Sequence, residues 1–140
     1  MANEISISTT IRIKKGNLNY SPPAARFTED LSDDKGPTPG FLTISVDGEN
    51  VTFGELATPG RVRIQNLDPD NYVEFGVHDG SLFHPLGEVL PGTEATFRFS
   101  RNLGEELTVA PGTGSTAPVN YFFIKADTAP CGVIVDAFEA

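Results

Sequence analysis

The chain has no tryptophan, one cysteine, one methionine and only two histidines. The single thiol, Cys131, excludes an intrachain disulfide, so packing alone must hold the fold. No run of about 18 apolar residues occurs, so no transmembrane helix is expected. The opening Met-Ala-Asn-Glu-Ile-Ser lacks a charged n-region and a continuous apolar h-region, so no signal peptide is expected. Synthesis and folding in a reducing cytoplasm fit that reading. Basic residues are scarce: 10 Lys and Arg face 19 Asp and Glu, a net charge of −9 with pI near 4.5. That balance argues against nucleic acid or an anionic membrane as a partner, since both need clustered Lys and Arg. No segment carries a helical apolar period.

What is present suits strands and turns. At 140 residues and 39% hydrophobic content, one domain can bury a real core. Fourteen glycines and 11 prolines punctuate it too often for a helical protein. The best-specified block is Arg61 to Ser100. Val62 and Ile64, then Val73, Phe75 and Val77, then Ala95, Phe97 and Phe99 each recur at period two. Asn66 to Asn71 and Pro91-Gly92 supply turn chemistry between these runs.

Ile5, Ile7, Ile11 and Ile13 predict one terminal strand of roughly ten residues, interrupted on its apolar face by Thr9. A strand this regular must be paired; it closes the domain's own sheet or is exchanged with a neighbouring subunit. Residues 15–40 read as a long surface loop with short extended pieces, anchored by Leu18, Tyr20, Phe27 and Leu31. Phe41 to Phe53 reads as a hairpin turning at Asp47-Gly48-Glu49-Asn50. Leu107 and Val109 suggest a short strand, and residues 110–118 a loop tip. Tyr121 to Ile124 is apolar on both faces, and Val133, Val135 and Ala137 share a face of a last strand. The count is eight or nine strands. The expected fold is therefore an all-β, antiparallel, jelly-roll-like sandwich, a single domain over 1–140 whose body spans 41–140.

Catalytic and metal chemistry finds little footing. His78, Asp79 and His84 could begin a metal site, but zinc needs more ligands at suitable spacing; they read as rim residues. The acidic turns at 47–50 and 68–71 lack the twelve-residue calcium-loop spacing and read as Asx turns. Cys131, between Pro130 and Gly132, reads as a small buried thiol. No phosphate-binding glycine loop occurs. No cofactor or metal is expected. Sugar platforms want exposed aromatics; Tyr20 and Tyr72 are the candidates, and most phenylalanines read as core.

Three segments carry a resemblance. They are Asn66-Leu67-Asp68 through Asn71-Tyr72-Val73-Glu74-Phe75-Gly76; Leu86-Gly87-Glu88 with Leu90-Pro91-Gly92-Thr93-Glu94; and Ile124-Lys125-Ala126-Asp127-Thr128-Ala129. They resemble small structural proteins of tailed bacteriophages, over about half the chain, with Thr93 departing from the tighter Pro-Gly-Glu of that pattern. The resemblance implies a non-enzymatic virion component on the capsid surface. The role it implies first is a capsid decoration (cement) protein, commonly a homotrimer, whose partners are itself and the major capsid protein or another virion protein. The alternative is a tail- or fibre-associated adhesion module that binds a host glycan. The expected assembly surface is the N-terminal segment: Ile5, Ile7, Ile11, Arg12, Ile13, Lys14, Lys15, Tyr20, Arg26 and Phe27.

Overall fold

The computed structural model describes residues 4–100 and 121–139. The strand expected around Leu107 and Val109 and the loop tip at 110–118 lie outside the described residues. Every regular element described is a strand. The described residues fall into two compact units, 1–32 and 33–140.

The first unit holds four short strands. These are β1 (Ile5–Thr9), β2 (Ile13–Lys15), β3 (Leu18–Tyr20) and β4 (Ala25–Glu29). β1 pairs with β4 and β2 with β3, each as a separate antiparallel two-stranded sheet. The single ten-residue strand expected at the N-terminus is thus two strands. Gly16, at φ +56°, and Asn17 turn β2 back onto β3, so the β1 ladder cannot run on into β2. Neither piece joins the larger sheets, which corrects the expectation that the strand might close the main sheet. The surface loop expected over 15–40 contains β3, β4 and the start of the next strand.

The second unit is the sandwich. Its eight described strands are β5 (Thr38–Ile44), β6 (Glu49–Val51), β7 (Pro59–Asn66), β8 (Val73–His78), β9 (Phe83–Val89), β10 (Glu94–Arg98), β11 (Tyr121–Ala126) and β12 (Cys131–Glu139). One sheet has the order β10-β7-β12-β5, the other β6-β11-β8-β9. The pairs nest: β5 with β12, β6 with β11, β7 with β10 and β8 with β9. This is one long antiparallel hairpin rolled over on itself, and cross-pairs β7–β12 and β8–β11 close the roll. The topology is that of a jelly roll.

Phe41 to Phe53 is not a hairpin. The turn is real, with the Gly48 N–H donating to the Ser45 carbonyl at 3.1 Å, but β5 and β6 lie in opposite sheets. An Asp-Gly pair specifies a local reversal, not the partner. The seven-residue ladder of β5 with β12 decides the partner.

The core sits between the sheets. Val62, Ile64, Val133, Val135 and Ala137 from one sheet meet Val73, Val89, Phe122, Ile124 and Ala126 from the other. Phe75 and Phe97 stack across the gap with centroids 5.2 Å apart, and Phe122 touches Phe53, Phe75, Phe97 and Phe99. Two polar side chains are buried with them. Glu139 accepts the Ala57 and Thr58 N–H groups at 2.8 and 2.9 Å, tying the end of β12 to the 53–58 connection. Asn66 is the second. Its Nδ2 donates to the carbonyls of Asn71 (2.8 Å) and Val89 (3.1 Å), and its Oδ1 accepts the Asp68 N–H (3.0 Å).

Replacing Asn66 by Ala leaves two carbonyls without their donor, one of them in a fully buried bond, at a cost of about 2–4 kcal/mol. Asn66→Asp should be worse, because a carboxylate cannot donate and faces both carbonyl oxygens. Urea unfolding of the two variants checks this order; an Asp variant as stable as wild type would refute the amide's role.

Candidate functional site

All ten residues expected to form an assembly surface lie in the first unit. Cross-strand register sorts most of them. Ile7 opposes Phe27 and Ser8 opposes Arg26 in the β1–β4 pair. In the β2–β3 hairpin, Ile13 opposes Tyr20, Lys15 opposes Leu18 and Lys14 opposes Asn19. Directly opposed side chains share a face. One face of the hairpin therefore carries Ile13, Tyr20, Leu18 and the Lys15 stem; Lys14 and Asn19 take the other. Ile11 and Arg12 lie in the link between β1 and β2.

The apolar face is open. Ile13 is 43% exposed, Leu18 58% and Tyr20 54%. No described residue of this unit is buried, whereas the sandwich buries a continuous core. Isolated two-stranded pairs are marginal in water without a surface to pack on. Charge also divides unevenly. Residues 1–32 hold four basic and three acidic residues, a net +1; the six basic and 16 acidic residues after them give −10. Sequence reading missed Leu18 as a surface residue and the hairpin itself, although Gly16-Asn17 between Ile-Lys-Lys and Leu-Asn-Tyr is a hairpin signal.

The sandwich offers three further places for chemistry. The first is the tip of the β8–β9 hairpin. Asp79 Oδ1 accepts the Ser81 and Leu82 N–H groups, both at 2.8 Å, and Oδ2 lies 2.9 Å from His84 Nε2. His78 Nδ1 instead accepts the Gly80 N–H at 3.0 Å. Both oxygens of Asp79 and one nitrogen of each histidine are thereby committed to shaping the turn. Among the described residues no three His, Cys, Asp or Glu side chains converge as metal ligands. The second place is an apolar cavity of about 270 Å³ lined by Phe75, Val77, Leu86, Phe97, Phe99 and Phe122, with Arg98 and Ser100. Its described lining offers a guanidinium and a hydroxyl but no carboxylate or imidazole to serve as a base.

The third is the corner where the three resemblance segments meet. Besides the Asn66 bonds, Asp68 Oδ1 accepts the Asp70 and Asn71 N–H groups. The Gly92 N–H donates to the Asp68 carbonyl, and the Asn66 N–H to that of Thr93. Thr128 Oγ1 donates to Asn71 Oδ1 at 2.7 Å, and the Asp127 N–H reaches the Tyr72 carbonyl. The Cys131 thiol, fully buried here, is pushed up in pKa by that burial. The motif residues thus hold one another.

One phenylalanine departs from the expected core: Phe41 is 63% exposed on the outer side of β5, close against Gly132.

No protein-family model, no curated protein and no solved structure matches the chain.

The Asp79 carboxyl is held far below the usual carboxylate range, first by its bond with His84, then by the Leu82 and Ser81 amides. A folded pKa below the unfolded value of about 3.9 contributes stability fully above about pH 4. That contribution fades as pH falls toward the folded pKa. Asp79→Asn should therefore flatten the acid limb of the stability curve while changing little near pH 7 beyond the lost turn bonds. Melting temperatures from about pH 7 down to 2 test this; an unchanged acid limb would refute it.

Proposed function

We propose that this chain is a non-enzymatic virion structural protein. In this reading it is a capsid decoration (cement) protein that binds and stabilises a phage capsid shell and self-associates, as a homotrimer, on the capsid surface. The observation that carries the reading is the N-terminal unit. Its four strands bury no residue of their own, yet they present Ile13, Leu18 and Tyr20 together on one face with the Lys15 stem. A chain segment built this way gains its stability from a partner, and returns it to the assembly by mass action. Closed cyclic symmetry suits repeated copies of such a contact. Partner classes are supported by the three resemblance segments, which meet in one corner of the sandwich. The polar groups of that corner are spent on its own backbone, as expected of a scaffold rather than a reactive site.

A second reading, an adhesion module for a host glycan, is favoured by one observation. Phe41 and Tyr20 are exposed aromatics of the kind that stack on sugar rings. Binding on a glycan array that is lost in Phe41→Ala would support it over the first.

Light scattering at micromolar concentration tests the first reading. The full chain should have about three times its 15.0 kDa monomer mass, with or without chelator. A chain lacking residues 2–32 should keep the sandwich's near-ultraviolet dichroism and lose the assembled mass. It should also fail to co-sediment with capsid shells. A truncated chain that assembles like the full one would overturn the role of the N-terminal unit.

A further inference from the structure

The edge strand β9 carries an irregularity with a directed result. Gly76 of β8 pairs with Pro85, and Phe75 pairs with Gly87, so Leu86 is an extra residue with no partner across the ladder. It is the unpaired residue of a β-bulge, a device that re-aims a side chain. The bulge needs glycine at 76. A Cβ there would sit 2.1 Å from the His84 carbonyl oxygen and 2.9 Å from the Pro85 Cα. The side chain so displaced, Leu86, is 73% exposed, the most exposed large apolar residue described.

Leu86 does not stand on a neutral surface. It lines a shallow depression of about 260 Å³ with Pro85, Gly87, Glu74 and Glu88. Glu74 and Glu88 oppose each other directly across β8 and β9. Paired like charges disfavour each other unless a cation lies over them. Lys125 answers Glu74 from the β11 side, and no described strand lies beyond β9. The field reaches further: the Tyr72 phenol is held above its ordinary range by Asp127 first, with Glu74 and Glu88 adding to it.

The β2–β3 hairpin has the opposite character. One face carries Ile13, Leu18 and Tyr20 with Lys15 among them, while Lys14 takes the other face. We infer that the β2–β3 hairpin of one copy docks on the β9 edge of a second copy of this chain. Its apolar face covers Leu86, and Lys15 lies over Glu74 and Glu88. Complementarity is of both kinds at once: an apolar knob beside two carboxylates meets an apolar hairpin face that carries a cation. An exposed sheet edge is a natural acceptor for a partner, and the bulge turns this one from a flat ladder toward side-chain contact through Leu86. The inference rests on the reading of the N-terminal unit as an assembly element, and it names the surface that receives it.

Sedimentation velocity of the full chain over a range of micromolar concentrations provides the test. Wild type should self-associate reversibly, and more weakly as salt rises. E74K/E88K should weaken association by about tenfold or more, and K15E by a similar factor. The three changes combined in one chain should restore most of the affinity, because the facing charges are again opposite in sign. L86D should also abolish association; thermal melts confirm that each variant folds. Assembly of E74K/E88K and L86D at wild-type strength would overturn the docking surface while leaving self-association intact. So would a combined variant that stays as weak as the single swaps. A wild-type chain that remains monomeric throughout would overturn both the docking and the self-assembly it rests on.

Discussion

The sandwich depends on one buried amide. Asn66 ends β7 at the place where the chain leaves one sheet for the other. Its side chain binds the backbone at Asp68, Asn71 and Val89, so it joins the turn after β7 to the end of β9. Two carbonyls and one N–H are satisfied by a single side chain with both donors used. Only an amide supplies that combination in so small a volume. Around it, the 90–93 turn and the 127–131 segment bind the same loop. The two sheets are held together by apolar burial, but their relative register at this end is set by hydrogen bonds.

That arrangement explains why the recurring motifs were legible while their role was not. Asn, Asp, Pro, Gly and Thr at fixed offsets announce turns, and turns are what they make. Nothing in their spacing says that Asn71 and Val89 will share the Asn66 amide, or that Thr128 will reach Asn71. The strands of the central block were legible for a simpler reason. Val62, Ile64, Val73, Phe75, Ala95 and Phe97 alternate because one face of each strand is packed, and the structure packs those residues. The sandwich architecture follows from turn density and alternation, but the expected count of eight or nine strands falls short: the described residues hold twelve, and β9 among them was not singled out.

The misreadings share a cause. The alternation of Ile5 to Ile13 is continuous, but pairing is not a property of one strand; Gly16-Asn17 gives β2 its own local partner. The Asp47-Gly48 turn is continuous with two good strands, yet each has a longer or more deeply packed ladder elsewhere. Leu86 was invisible as a surface feature, since residues 83–89 were not read as a strand and the bulge that exposes it is a matter of register. The sandwich's exposed Phe41 was hidden as well.

The nested pairing also constrains how the molecule is made. β5 finds its partner only in β12, at the far end of the sandwich, and β6 finds its own in β11. During synthesis the first sandwich strands must wait, unpaired, while most of the chain emerges. Closure of so many distant contacts belongs to the slow end of domain folding, roughly milliseconds to seconds. Throughout that interval Ile44, Val51 and Val62 are exposed to neighbouring nascent chains. The excess of acidic over basic residues opposes contact between such chains, so the acidity serves the unfinished protein as much as the finished one.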